Sequence, residues 1–335
     1  MGQPQTNDGI VAVTGASGHV GANLVRALVA ADRRVRAIMH EARAGLEGLP
    51  VDVVRADVRD AEACQRALVG AQVVYHLAAR ISVGWDRPES VQSVNVTGTR
   101  NVVEACLTAG VRRLVHFSSI HAFCAEPSDA VVDETRPLAA NTPANLIYDR
   151  TKAEGERVVT AAVARGLDAV IVNPSAVLGP HGHLGSPMGE VLLDLYRGRL
   201  PALVGGGFDW VDVRDVVSSA LAAERHGRTG QHYLLSGHWL SIADLARLWG
   251  RISGAKIPRL TAPMWLARTG APFAVAWARL ARRRPLFTSD SLRVLRNHRH
   301  ISHACATAEL GHNPRPLEET LRDTYEWFRQ VGKLS

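Results

Sequence analysis

Residues 10–30 read IVAVTGASGHVGANLVRALVA, and this stretch decides the fold. Ile10 to Val13 is a short apolar run with strand character. TGASGHVG follows at Thr14 to Gly21, and Ala22 to Ala30 has the composition of a helix. The three glycines have separate physical tasks. Gly15 permits a tight strand-to-helix turn, Gly18 lets the backbone approach a pyrophosphate, and Gly21 allows helix to pack closely on strand. The phosphates of a dinucleotide then rest on free N–H groups at the positive end of the helix. A glycine triplet alone is a weak signal; following a strand and opening a helix gives it its meaning. Ser17, His19 and Val20 lie inside the turn and are counted with the cofactor contacts.

Further strands alternate with helical stretches along the first half: Val51 to Val54, Val73 to His76, Leu114 to Phe117, Ala169 to Val172. Their nearly continuous apolar character is that of strands covered by helices on both faces, so the sheet is expected to be parallel and doubly wound. After about Pro174 the alternation stops. Gly179 to Glu190 (GPHGHLGSPMGE) reads as a Gly/Pro-rich loop, and irregular helices and strands follow. The expected organisation is a dinucleotide-binding domain over 1–175, with returning elements at about 207–235. A smaller, discontinuous substrate-binding part would use mainly 176–206 and 236–335.

Composition sets limits. The chain has 335 residues, 46% hydrophobic and 21% charged, which is globular and not disordered or fibrous. The formal charge of +7 suggests anionic ligands but is spread along the chain, which is weak evidence for nucleic acid, and no nucleic-acid partner is expected. Four dispersed cysteines without a CxxC pair fit a reducing compartment. With no apolar leader and no long apolar run, a cytoplasmic protein is expected.

The strand ending at Met39 should finish beside the adenosine ribose. An acid there would meet the 2′-hydroxyl of NAD. The chain has His40, then Glu41 and Arg43, so NADP(H) is favoured, with NAD(H) as the alternative because Glu41 is one residue away.

Tyr148 and Lys152 are spaced i to i+4 and share one helix face. A cation beside a phenol lowers its pKa and suits it to acid/base work. Upstream, VHFSS at Val115 to Ser119 is a strand ending in two serines, at the sheet edge where ligands bind.

Together these motifs resemble the extended short-chain dehydrogenase/reductase family of NAD-dependent epimerase/dehydratase type, over nearly the whole chain. Asp57-Val58 resembles its adenine-contacting pair, His76-Leu77-Ala78-Ala79 its loop under the cofactor, and Asn95 to Thr99 its NVxGT helix. The resemblance implies a Rossmann sheet and makes Ser119, Tyr148 and Lys152 the catalytic set. Lys152 would also hold the nicotinamide ribose, with Pro174 and Val177 near the nicotinamide. It further implies a homodimer.

Departures narrow the reaction. Ile120 and His121 stand where the sugar-nucleotide dehydratases carry two acids. Ala176 and Phe208 stand where the epimerases carry an Asn and an Arg for the diphosphate. The NP..VLGP pattern of Asn173 to Pro180 instead resembles the branch of dihydroflavonol and cinnamoyl-CoA reductases and 3β-hydroxysteroid dehydrogenases. The expected function is reduction of a ketone or aldehyde, or oxidation of the secondary alcohol, in an apolar substrate. A nucleotide-sugar epimerase is the alternative, and a non-catalytic dinucleotide-binding protein a third reading. Trp85, His121, Phe123, Met188 and Phe208, with Ile120 and Leu184, are candidates for the substrate pocket.

Two other signals carry less. His298, His300, His303, Cys305 and His312 match no zinc spacing, so no metal is expected. Met264 to Arg284 combines aromatic residues with arginines; a lid or packed hairpin is favoured over a membrane-surface helix.

Overall fold

The computed structural model describes residues 9–40, 45–82, 84, 86–183, 186–267, 269, 288–295 and 297–334. Arg43, Trp85, Leu184 and most of the 264–284 segment lie outside these described residues.

Seven parallel strands form the main sheet among the described residues. They are β1 (Ile10–Thr14), β2 (Val35–Met39), β3 (Asp52–Arg55), β4 (Ala71–His76), β5 (Arg113–Phe117), β6 (Ala169–Pro174) and β10 (His232–Leu235), in the order β10-β6-β5-β4-β1-β2-β3. The central strands are apolar on both faces because helices cover both. On one side α1 (His19–Ala30) and α7 (Val213–His226) bury Leu24, Leu28, Val216 and Ala220 against Val11, Val13, Val115 and Val172. On the other, α2 (Ala61–Leu68), α4 (Thr99–Ala109) and α5 (Ile147–Val163) bury Leu68, Val102, Val103 and Val159 against Ala12, Val74, Leu114 and Ile171.

Local chemistry sets the helix ends. Asp60 caps α2 by accepting from the Ala63 N–H at 3.0 Å, and Gly110 closes α4 in the left-handed conformation (φ 64°). The short α3 (Pro88–Gln92) runs into α4 through a π-helical turn, Ser93–Gly98, within the expected NVxGT helix.

The strand order reverses between β1 and β4, which opens a crevice at their carboxyl ends. Beyond that edge lie a small sheet and its helices. The sheet is β7 (Ala176–Leu178), β9 (Gly207–Asp212) and β11 (His238–Ser241), ordered β11-β9-β7; β8 (Leu203–Val204) pairs with β12 (Thr261–Ala262). The helices α6 (Pro187–Tyr196), α8 (Ile242–Ser253), α9 (Ser289–Val294), α10 (Ala304–Leu310) and α11 (Leu317–Gln330) complete this part. Its own core gathers Trp210, Trp249, Leu192, Leu321, Trp327 and Phe328. The two parts are tied by ions: Arg214 of α7 donates to Asp323 of α11 at 2.6 Å, and Arg315 to Asp215 at 2.8 Å.

The loop expected over Gly179 to Glu190 ends sooner. Ser186 accepts from the Gly189 N–H at 3.0 Å, and Pro187 at the first helical position starts α6 there. No helix of the described residues is long and apolar enough to cross a membrane.

Candidate active site

The glycine turn sits at the mouth of the crevice. Thr14, the last residue of β1, accepts from the N–H groups of Leu77 and Ala78 at 3.2 Å each, and lies 2.7 Å from His76 Nδ1. These bonds fasten the turn to the loop carrying Ala78 and Ala79. Gly15 has φ 68°, and a Cβ there would stand 2.8 Å from the Ala78 backbone nitrogen. A Cβ at Gly21 would collide with the Gly15 carbonyl and stand 2.9 Å from Ala16 Cα. The N-cap of α1, Gly18, offers no side-chain bond to the helix amides, and the first turn carries no acid. The first amides of α1 therefore keep their affinity for an anion.

His19 and Asn23 bind this turn to the second part. His19 Nε2 lies 3.1 and 3.0 Å from the carbonyls of Gly179 and Pro180, and Asn23 Nδ2 donates to Pro180 at 3.0 Å. Burial lowers the imidazole pKa, so His19 serves as a neutral donor. Asn23 was not singled out in the sequence; only its contact across 157 residues gives it a role.

At the adenosine end, His40 is exposed and its Nδ1 lies 3.5 Å from Asp57 Oδ2. Arg55 Nε donates to the His40 carbonyl at 3.1 Å. Arg59 grips Asp57, donating at 3.0 and 2.9 Å through Nε, and holds that carboxyl below its usual range. Val58 is buried beneath Gly98, and its carbonyl accepts from Asn101 at 2.9 Å. Pro174 ends β6 and Val177 is the middle residue of β7.

Ser119 follows β5 and caps a one-turn 3-10 helix, Ile120–Ala122; its Oγ accepts from the His121 N–H at 3.2 Å. Tyr148 stands in the first turn of α5, its phenol near the Ser119 hydroxyl. Lys152, one turn later, donates from Nζ to the Phe117 carbonyl at 2.8 Å. The three expected catalytic residues are thus brought together.

The electrostatics differ from expectation. Lys152 does not lower the tyrosine pKa: its ammonium is directed at Phe117. Tyr148 is half-buried, and desolvation of its phenol pushes the pKa up to about 12, against the lowering effect of the nearby Ser119 hydroxyl. Burial also pushes Lys152 down to about 8, with Glu156 pulling the other way. The phenol is therefore held fully protonated at neutral pH.

A buried network lies behind the pair. Asn173 Nδ2 donates to Glu156 Oε1 at 2.6 Å and to the Ser119 carbonyl at 3.1 Å, and His232 Nδ1 lies 3.2 Å from Glu156 Oε2. Asn95 in the π turn donates to Thr151 Oγ1 at 3.1 Å and accepts from the Arg80 N–H at 2.7 Å. A Cβ at Gly155 would approach the Asn95 carbonyl at 3.1 Å, so α5 and the π turn pack almost backbone to backbone.

The substrate candidates divide. His121 lies against Tyr148, edge-on at 5.8 Å between ring centroids. Phe123 is a correction: at 2% exposure it belongs to a small core with Val132 and Leu234, not to a pocket wall. Met188 and Phe208 lean on the core of the second part, with Phe208 edge-on to Trp210 at 5.2 Å. A cavity of about 1000 Å³ opens nearby, lined in part by Trp239, Met264, Asp290, Leu292, Arg293 and Arg299. None of Ser119, His121, Tyr148 and Lys152 lines it; its lining residues Asn297 and Arg299 flank His298, whose ring meets His121 at 5.4 Å. Of the C-terminal histidines, His312 is engaged by Ser219 Oγ at 2.8 Å and the Ser236 carbonyl at 2.7 Å.

The sequence profile of the NAD dependent epimerase/dehydratase family matches residues 11–236. The chain belongs to that family. It is an NAD(P)-dependent oxidoreductase of the family, working at a CH–OH/C=O centre. Among curated relatives, sterol demethylase protein B of Methylococcus capsulatus is 37% identical over 328 residues, covering 96% of this chain and 99% of that one. A putative dihydroflavonol 4-reductase of Synechocystis is 31% identical over 331 residues, covering 96% and 94%. Among solved structures, gox2253 superposes with a TM-score of 0.84 at 30% identity, over 98% of this chain and all of the other.

Proposed function

We propose that this oxidoreductase interconverts a ketone and a secondary alcohol on an apolar, ring-bearing molecule of sterol or flavonoid size, with NADP(H) as the preferred cofactor. The observation that carries this reading is the convergence of Ser119, Tyr148 and Lys152 at the carboxyl end of β5. The names of the two curated relatives, a sterol demethylase protein and a dihydroflavonol reductase, support the same substrate class.

The residues fit a dinucleotide. The cradle at Gly15 to Gly21 has no room for side chains, and the start of α1 has neither cap nor acid to compete with phosphate. Around the end of β2 stand His40, Arg55 and Arg59, and the nearby carboxylate, Asp57, is engaged by Arg59. This basic surround favours a 2′-phosphate over a bare ribose. Bound here, the nicotinamide supplies or accepts the hydride. The chain's own residues do the rest. Ser119 Oγ donates a hydrogen bond to the substrate oxygen and stabilises its developing charge. Tyr148 delivers its proton to that oxygen in reduction and takes it back in oxidation. Lys152, held by the Phe117 carbonyl, places a positive charge under the site. The loop tied down by His19 and Asn23 closes the phosphate end from water.

The test follows absorbance at 340 nm with NADPH and NADH run separately, on 3-oxosteroids, flavanonols, cyclic ketones and aromatic aldehydes. A parallel arm incubates UDP-glucose and analyses it by chromatography. NADPH oxidation by an apolar carbonyl, faster than with NADH, is the expected result. Interconversion of the UDP-sugar without net cofactor oxidation would overturn the reading in favour of an epimerase.

A further inference from the structure

The formal charge is not even along the chain once acids are counted. From Leu245 to Ser289 there are nine Arg and Lys residues and no Asp or Glu, so this stretch alone exceeds the net +7 of the whole. Its described part carries an apolar patch as well. Of the seven large apolar residues that stand exposed among the described residues, three fall between 260 and 266: Leu260 at 73%, Trp265 at 67% and Leu266 at 49%. Apolar residues scattered singly over a surface need no explanation; a cluster bordered by charge does. The local structure holds them outward. The Leu260 carbonyl accepts from the Leu203 N–H at 2.9 Å, and β12 then pairs with β8. A helical turn follows, with the N–H groups of Leu266 and Ala267 donating to the Pro263 carbonyl at 3.0 and 3.1 Å. Ala267 is buried against Leu292, and Met264, three residues earlier, packs on the same small core. With that face committed inward, Trp265 and Leu266 face out. Upstream, Ile257 packs on the core of the second part, while Lys256 and Arg259 are exposed and make no ion pair among the described residues. The lid or packed hairpin expected from Met264 onward would hide its apolar groups; at its described start, Trp265 and Leu266 stand open.

We propose that Lys256, Arg259, Leu260, Trp265 and Leu266 form a docking surface for an anionic phospholipid bilayer. Charge complementarity selects this occupant. A bilayer surface offers phosphates to the two cations and, just beneath them, acyl chains to the apolar groups. Tryptophan suits that boundary, because its ring is apolar and its N–H is polar. A second copy of this chain fits less well: a symmetric contact on this patch would bring the same cations face to face. The docking also places the cavity. Met264, next to Trp265, lines the cavity of about 1000 Å³. With Trp265 and Leu266 seated in lipid, one wall of that cavity is held at the membrane surface, where apolar molecules dissolve. The docking itself does not depend on the ketone/alcohol reading.

The experiment mixes the full chain with vesicles of phosphatidylcholine, or of phosphatidylcholine and phosphatidylglycerol in equal parts, and separates bound from free protein by flotation. Wild type should float with the anionic vesicles, stay free of the neutral ones, and be released as salt is raised. Lys256→Gln with Arg259→Gln should weaken partition to the anionic vesicles by about 10–30-fold. Leu260→Ser, Trp265→Ser and Leu266→Ser together should weaken it by at least about tenfold. All five positions are exposed, so thermal melts of both variants should match wild type and separate lost docking from lost folding. No flotation with either vesicle, equal flotation with both, or variants that float as wild type does would overturn the proposal. So would concentration-dependent association of wild type, without flotation, that the apolar variant loses; the patch would then belong to a second copy. The oxidoreductase reading stands or falls separately, on the cofactor assay.

Discussion

Replacing Lys152 by methionine should abolish catalysis and make the protein more stable. The Nζ of Lys152 is buried at 5% residue exposure, and its pKa is pushed from the ordinary 10.5 to about 8 by desolvation. That difference corresponds to about 3 kcal/mol against the charged form in the folded state. The hydrogen bond to Phe117 at 2.8 Å would be lost, at about 1.5 kcal/mol. Glu156 would keep the Asn173 amide at 2.6 Å on one oxygen, with the His232 ring 3.2 Å from the other. The net gain is about 1–2 kcal/mol at pH 7. For 335 residues the unfolding entropy is about 0.7 kcal/mol per kelvin, so Tm should rise by about 1–3 °C. The pH dependence fixes the cause. Because the folded pKa lies below the unfolded one, the penalty on wild type is fully present below about pH 8 and fades as pH rises towards 10.5. The advantage of Lys152→Met should fade over the same window. Thermal melts of both proteins from pH 6 to pH 10 test this. A variant less stable than wild type at pH 7, or an advantage that grows with pH, would refute the reasoning.

Three further substitutions probe the scaffold. Gly21→Ala places a Cβ against the Gly15 carbonyl and 2.9 Å from Ala16 Cα; both are backbone, so stability should fall by about 1–3 kcal/mol with loss of NADPH binding by fluorescence titration. Gly18→Ala, whose nearest neighbour would be the Gly15 carbonyl at 3.2 Å, should fold near normally but bind NADPH weakly, since its Cβ intrudes on the phosphate approach. Glu224 accepts from Tyr75 Oη at 2.5 Å and pairs with Arg33 at 3.2 Å while 5% exposed. Glu224→Ala should destabilise by about 3–5 kcal/mol, read as a lower urea midpoint at unchanged activity per folded molecule.

What the sequence disclosed was local. The turn from Gly15 to Gly21 is encoded by a strand, three glycines and a helix within about twenty residues. The Tyr148/Lys152 face needs only helical spacing. What it concealed depends on distant packing. Nothing near Asn23 announces Pro180, and nothing near His121 announces His298. Phe123 read as a pocket aromatic because its composition matches one, yet Val132 and Leu234 enclose it. Lys152 was expected to lower the phenol pKa because the two are neighbours on a helix. Burial of both groups, and a backbone carbonyl that captures the ammonium, decide otherwise.

The central claim is that Tyr148 protonates a substrate oxygen as hydride arrives at the same carbon. NADPH deuterated at nicotinamide C4, given with a ketone from the panel, tests it directly by mass spectrometry of the product. Deuterium on the carbinol carbon with wild type, and a fall in kcat of at least about 10²-fold in Tyr148→Phe with NADPH binding retained, is the predicted result. Undiminished turnover in Tyr148→Phe, or product alcohol without deuterium at that carbon, would contradict it.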